Sequence, residues 1–444
     1  MSLTTALYAA TGAMRVFERS LEAAQTNVSN VNTPGYARQR QEIVSFRDGI
    51  AAGDVISSRD KYNEASVWGR QNGLGRANQQ IETLGQVEQA LPVGENLGVA
   101  SSLSSFFSSF TQLAVAPNSV TGRQAVLDKA QTLASDFNTT ANRLARSAQG
   151  TEQEVSSAIS RINSTLADIA SFNKAVRVDG SITQDGGVES RLYKSLENLS
   201  EYADFKALQQ DDGSISVYLG GQTLGVIGDK ALSISSVVVN NEVQIQDSGG
   251  QDITANFQTG RLGALLDYRN KKYISYSGDL NTLAQTVADK VNETLAAGVD
   301  LNGAAPVNNL FNYNPAGGTA ATLSVTQLAP EEIAAALATA PGGNGNALNL
   351  TDLAKQPQIN GYNFTQFYGS IAAKVGGSVA DAKANQNTET QLLSQARTIR
   401  QDASGVSLDE EAAYVLQVQR GYQAVSKLLT VISSLTDTVL GLIR

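Results

Sequence analysis

Few residues in this chain are suited to chemistry. Its 444 residues include no histidine and no cysteine, which removes imidazole bases, thiol nucleophiles, disulfides and Cys/His zinc sites. Carboxylate chemistry remains, as glycoside hydrolysis by paired acids or as calcium binding. Asp211-Asp212-Gly213 is the nearest approach to a calcium loop, but the Asp-x-Asp-x-Asp-Gly spacing is absent and the tripeptide reads as a turn. Gly220-Gly221-Gln222 and Gly225 are too sparse for a phosphate loop and have no adjacent Lys-Ser or Lys-Thr. Trp68, the single tryptophan, reads as packing. The acidic residues scatter along predicted helix faces, so a hydrolase ranks last. No catalytic residue, metal ligand or cofactor is assigned, and the chain is read as not an enzyme.

Composition narrows the partners. The formal charge is −9 and the pI about 4.8, which opposes nucleic-acid binding, because phosphate recognition needs clustered Lys and Arg. No stretch approaches the roughly 20 apolar residues that span a bilayer. The N-terminus lacks the basic and apolar regions of a secretory signal.

The elements that would position any site are mostly helices. Leu3, Leu7, Ala10, Met14, Phe17, Leu21, Ala24, Val28 and Val31 follow one another at intervals of three and four, a heptad seam. At the other end Val415, Val418, Tyr422, Val425, Leu429, Ile432, Leu435, Val439 and Leu442 do the same, behind an acidic start that suits a helix N-terminus. Such stripes cannot be buried on one helix, so they need a partner from the same chain or a neighbouring one. Unpaired, they would be marginal. The spacing predicts further helices over 74–91, ended by Pro92, around 103–113, over about 121–176 with a bend or break at Gly150, around 280–295, and over 364–400. Alternation at Ile215, Val217 and Leu219 with a Gly220-Gly221 turn, and a second turn at Asn240-Asn241, predict β-hairpins.

The fold class expected is mainly α with a β-rich insertion, a long antiparallel helical bundle formed by both termini and inner helices plus a small outer β domain. The divisions are a terminal coiled-coil assembly domain (1–60 and 404–444), an elongated helical rod (61–178, 261–300 and 356–403), a β-rich outer domain (179–260), and a loop-rich segment (301–355).

Two terminal motifs carry a resemblance. SNVNTPGYARQRQ, from Ser29 to Gln41, contains Asn30, Thr33, Pro34, Gly35 and Tyr36. Pro34 stops a helix and Gly35 can turn it. SGVSLDEE, from Ser404 to Glu411, contains Gly405, Val406, Leu408, Asp409 and Glu410 and leads into the last seam. Together with GRLGALLDYRN (Gly260 to Asn270) and VNETLAAGVDLNG (Val291 to Gly303), they resemble the flagellar axial proteins and, within them, the hook-associated FlgK family. The resemblance implies an extracellular subunit of the bacterial flagellum, exported by the flagellar type III route without a cleaved signal peptide. It would polymerise through its terminal helices into a ring of about eleven copies between hook and filament. The implied partners are itself, the hook protein, a second hook-associated junction protein on the filament side, and an export chaperone at the C-terminal helix, with no nucleic acid and no membrane insertion. Alternatives are another axial protein, hook or rod, and a surface adhesin using 179–260, a stretch poor in aromatic residues.

Overall fold

The computed structural model describes residues 2–46, 49–94 and 97–442, with the backbone but not the side chains of 440–442. Helix α1 (Leu3–Ser29) is followed by a two-stranded ribbon, β1 (Gln39–Phe46) and β2 (Gly49–Ser57). Helices α2 (Lys61–Ala90), α3 (Gly98–Val115) and α4 (Val120–Val178) lead outward to α5 (Gly186–Tyr202). Next come β3 (Phe205–Gln209), β4 (Ile215–Leu219), β5 (Thr223–Ile227) and β6 (Lys230–Ala231), an antiparallel sheet in that order, and the hairpin β7 (Ser235–Val239) and β8 (Glu242–Gln246). The chain returns through α6 (Gly260–Asp267), a π-helical step at Tyr268–Lys272, and α7 (Tyr273–Ala296). Beyond them, β9 (Gly298–Val299), β10 (Phe311–Asn312), α8 (Thr319–Thr322), β11 (Ser324–Val325), β12 (Ala336–Leu337) and α9 (Gly345–Leu353) precede α10 (Phe364–Ser404) and α11 (Leu408–Leu442).

α4 organises the body. Its 59 residues span roughly 90 Å at 1.5 Å per residue. Val126, Leu133, Phe137 and Leu144 bury into one core with α3, α7 and the start of α10. Val155, Ile162, Leu166 and Ile169 bury into a second core with α5, the sheet and α6. The break expected at Gly150 does not occur. Gly150 lies between the two cores with nothing near the place of its absent Cβ, and anchoring on both sides outweighs its helix penalty of about 1 kcal/mol.

α10 runs back against α2 in the opposite direction. Asn78 accepts from Gln386 (2.8 Å) and Gln71 from Arg397 (3.2 Å), while at the far end Tyr368 donates to the Pro92 carbonyl (3.3 Å). The plan is therefore mainly helical, out and back, with a small β insertion.

Several expectations need correction. Residues 186–202 are helical, not part of a β region: Asp185 caps α5 by accepting from the amides of Gly187 and Val188, and Leu192, Leu196 and Leu199 bury on one face. Flanking glycines hid that period. The stretch 301–355 has one short ladder of its own, β10 with β11, a further strand, β12, that pairs back with β9 just before the stretch, and a helix. It also puts Leu310, Phe311, Leu323 and Ile333 into the first core. The pairing of β1 with β2 is not legible in the sequence, because its alternation is interrupted by a register shift between Gln41 and Ile43. The two expected turns are present, with Gly220, Gly221, Asn240 and Asn241 all at positive φ.

Non-helical segments are tied to helices by one repeated device, an asparagine carboxamide bonded to both the N–H and the C=O of an extended residue. Asn27 holds Gln39, Asn163 holds Ile234, Asn173 holds Ile215, Asn270 holds Val243, and Asn292 holds Phe311. Asn173 is fully buried. Its replacement by alanine strands three main-chain groups, the Ile215 N–H and the carbonyls of Ile215 and Gly228, and is expected to lower unfolding free energy by about 1–3 kcal/mol in urea titration. A change under about 0.5 kcal/mol would show that the tie is incidental.

Candidate functional site

The two ends of the chain form one module. α1 and α11 pack together antiparallel, with the α1 C-terminus beside the α11 N-terminus. Phe17 fits over Gly421, where an added Cβ would lie 2.6 Å from the ring. The β1–β2 ribbon covers another face of α1. Gly12 allows this approach, since a Cβ there would lie 2.3 Å from the Ile50 carbonyl oxygen.

The predicted seams are only partly covered within one chain. On α1, Ala10 and Ala24 are buried and Met14 and Phe17 half-buried, as is Val31 in the turn beyond it, whereas Leu3, Leu7, Leu21 and Val28 remain 37–43 % exposed. The residues that α1 does bury include Val16, Ser20, Ala23 and Asn27, which lie off the heptad seam. On α11, Val418 and Ile432 are buried and Val415, Tyr422, Val425 and Leu429 half-buried. Leu435 and Val439 stay open, and so do Leu416, Leu428 and Val431, outside the predicted seam, all at 48–57 % exposure. The side chain of Leu442 lies outside the described residues.

The turn after α1 is built from its motif residues. Asn30 closes the helix, its amide reaching the Thr26 and Asn27 carbonyls, and Thr33 donates its amide to the Asn30 carbonyl. Pro34 follows, and Gly35 takes φ 76°, a left-handed conformation that favours glycine. Tyr36 is thereby turned inward, where its hydroxyl donates to Asn27 Oδ1 (3.1 Å). Burial pushes its phenol up to about 12, and the nearby negative charges of Glu189, Glu411 and Asp185 act the same way.

Beyond this turn the outgoing and returning chains cross. The Arg38 amide donates to the Ser404 carbonyl (2.8 Å), the Ser58 amide to the Arg38 carbonyl (2.8 Å), and the Ser404 hydroxyl to the Ser58 carbonyl (3.0 Å). Gly405 and Val406 separate α10 from α11, whose first turn is capped by the Ser407 hydroxyl. Arg38 pairs with Glu411 (2.6 Å), which is buried, and with exposed Glu410 (3.2 Å). Leu408 and Asp409 face solvent and take no part in the crossing.

Beside it lies a lattice of alternating charges that sequence reading missed. Arg59 pairs with Glu64 and with Glu189 (3.2 Å), and donates to the Gly35 carbonyl (2.8 Å). Arg400 bridges Glu64 and Glu197 (3.2 Å each), and Arg397 binds Glu197 at 2.6 Å. Burial alone pushes the Glu197 carboxyl up, but the Arg397 hydrogen bond and the charges of Arg400, Arg397 and Lys194 outweigh it and hold it below the ordinary value. These residues come from α2, α5 and α10 and from the segment before α2, so no local pattern links them. The arrangement pairs each of these carboxylates with a guanidinium. It fixes where two strands of chain pass each other and sets the terminal module on the body.

Comparison with known proteins agrees with this anatomy. Residues 84–311 match the family model described as flagellar hook-associated protein FlgK helical domain, and residues 401–442 the model described as flagellar basal body rod FlgEFG protein C-terminal. Flagellar hook-associated protein 1 of Bacillus subtilis is 26 % identical over 495 residues, covering 97 % of this chain and 96 % of that protein. The Salmonella typhimurium protein of the same name is 20 % identical over 538 residues, covering 96 % and 97 %. The solved structure of the flagellar hook junction protein FlgK from Burkholderia pseudomallei shares the fold, with a TM-score of 0.69 at 15 % identity over 77 % of this chain and all of that one.

Arg59→Ala leaves buried Glu64 and half-buried Glu189 with less compensation and is expected to cost about 3–5 kcal/mol in thermal or chemical unfolding. Lys355→Ala, at an exposed 3.1 Å pair with Asp352, should stay within about 0.5 kcal/mol. Equal effects would refute the ranking. Because the fold favours ionised Glu197, its contribution is complete above pH 4.5 and is lost as pH falls through the lower folded value. The Tm of the native chain should accordingly fall more steeply below pH 4.5 than that of Glu197→Gln.

Proposed function

The chain belongs to the flagellar hook-associated protein FlgK family and is a structural subunit of the bacterial flagellum at the hook–filament junction; from that premise we propose that its terminal module is the part that polymerises. The observation that carries this reading is the set of apolar rows left open on α1 and α11, at Leu3, Leu7, Leu21 and Val28 and at Leu416, Leu428, Val431, Leu435 and Val439. An exposed apolar stripe of this length on a soluble chain marks an interaction surface. The intrachain pairing of α1 with α11 uses up half of each helix and leaves the other half for neighbouring subunits.

The rows on one subunit meet different rows on the next, so the contact is heterologous and generates a ring or a helix; the family resemblance implies a ring of about eleven copies. The seam residues Leu3, Leu7, Leu21, Val28, Val415, Tyr422, Val425, Leu429, Leu435 and Val439 then serve as assembly contacts. Arg38, Ser404 and Glu411 set the direction in which the module projects. The partners are further copies of the chain, the hook protein on one side and a second junction protein on the other. Before assembly an export chaperone covers the α11 rows. The chain is exported unfolded to the outside of the cell, and having no cysteine it has no thiol to cross-link on the way. Its work is mechanical.

Leu21→Asp tests this. The position is 37 % exposed in the single chain, so folding stability should change by no more than about 0.5 kcal/mol. Cells carrying the variant are expected to complete hooks but shed filament protein into the medium. Retained filaments and normal swimming would reject the seam as an assembly surface, and cells without hooks would point to a rod or hook subunit instead.

A further inference from the structure

Resting on the junction-subunit reading, we infer that the open edge of β3 is a second docking surface between copies, one that receives the β1–β2 ribbon of a neighbouring subunit. β3 pairs with β4 alone. The bonds from the Gln210 amide to the Ser214 carbonyl and from the Gly220 amide to the Asp204 carbonyl, both 2.8 Å, set the phase of that ladder. In this phase Lys206 and Leu208 face β4 with their main chain, whereas the N–H and C=O groups of Phe205, Ala207 and Gln209 face away. No strand takes them among the described residues. Unpaired edge groups of this kind are a template for an added strand.

A groove of about 450 Å³ runs along this edge, walled on the other side by α2. Trp68 stands in it, its indole N–H buried without an acceptor among the described residues, and its ring stacks on Tyr193 (6.0 Å) and meets Phe205 at a tilt (5.2 Å). Lys61 and Lys206 line the groove and form no ion pair among the described residues.

A second copy is the occupant that this surface fits. The groove is continuous with the crossing, because Tyr193 carries Arg59 on its ring at 3.9 Å and Trp68 beside it. A subunit docked on the terminal module therefore lies next to the groove. The ribbon complements it: β1 is longer than β3, exposes Phe46 (64 %) on one face for the aromatic wall and Ile43 (52 %) on the other for exposed Leu208, and holds exposed Glu42 for a lysine.

The chain has no cysteine, so Ser45→Cys with Leu208→Cys, both at exposed positions, reports the contact directly. Flagella isolated from cells carrying the double variant, oxidised and run without reductant, should give a ladder of cross-linked multimers absent from either single variant. Monomer alone, from cells that retain filaments, overturns the docking surface and leaves the junction reading standing. A second measurement is independent of assembly. Trp68 is the only tryptophan, and its emission in the purified chain should shift saturably with a synthetic peptide of residues 38–58. Substituting Asp for Ile43 and Phe46 in the peptide should weaken binding at least about tenfold. An emission spectrum that no peptide concentration changes overturns the inference.

Discussion

Everything in this molecule hangs on one crossing, where Arg38, Ser58 and Ser404 exchange main-chain and hydroxyl hydrogen bonds and Arg38 reaches Glu411. The chain leaves the terminal module, builds the body and returns, so both passages share a narrow space beside the ends of α2, α5 and α10. An apolar contact could fill that space without fixing directions, because burial of area is insensitive to orientation. A lattice of Arg59, Arg397 and Arg400 with Glu64, Glu189 and Glu197 is directional. Each guanidinium binds more than one partner, which sets the register of three helices at once. Buried ion pairs add little net stability over an apolar replacement, so the lattice is best understood as a device for geometry.

That geometry matters because the neck between module and body has a thin apolar core. Val67, Leu393 and Ala396 are its buried apolar cluster, against two much larger clusters farther out. α2 and α10 are held instead by amide and charge contacts along their length. A junction subunit whose two ends form one module needs that module held in a defined direction on the body. Polar contacts with defined partners carry direction where a small core cannot.

Farther out the same logic takes another form. The loops and short strands are too small to hold a place of their own, since a two-residue ladder such as β10 with β11 closes few bonds. Helical asparagines bind them at single residues, so that the long frame of α4, α6 and α7 dictates where each extended segment lies. The π step at Tyr268–Lys272 belongs to this scheme. It turns Arg269 to Glu152 (2.7 Å) and to the Asn241 carbonyl (2.8 Å), and Asn270 to Val243, which docks the β7–β8 hairpin. This accounts in physical terms for the motif at 260–270.

By itself the sequence determined most of the long helices, though not α5 or the start of α2, together with the two glycine and asparagine turns and the existence of apolar stripes at both termini. Those follow from local periodicity and from residues such as Pro34, Gly35 and Asn240 whose backbone preferences act within a few positions. Tertiary structure alone decided which side of each stripe is used. α1 gives one face to the ribbon and part of its seam to α11, so Leu21 stays open while Val16 is buried, a choice that depends on residues 39–57 folding back over Gly12. The heptad could not disclose that, because a stripe reports only that something covers it. Gly150 shows the reverse, a local helix breaker overruled by two cores in contact with one helix. Nor could sequence disclose the charge lattice: Arg59 and Glu189 are remote in the chain, surface-like in composition, and brought together only when α2, α5 and α10 converge on the crossing.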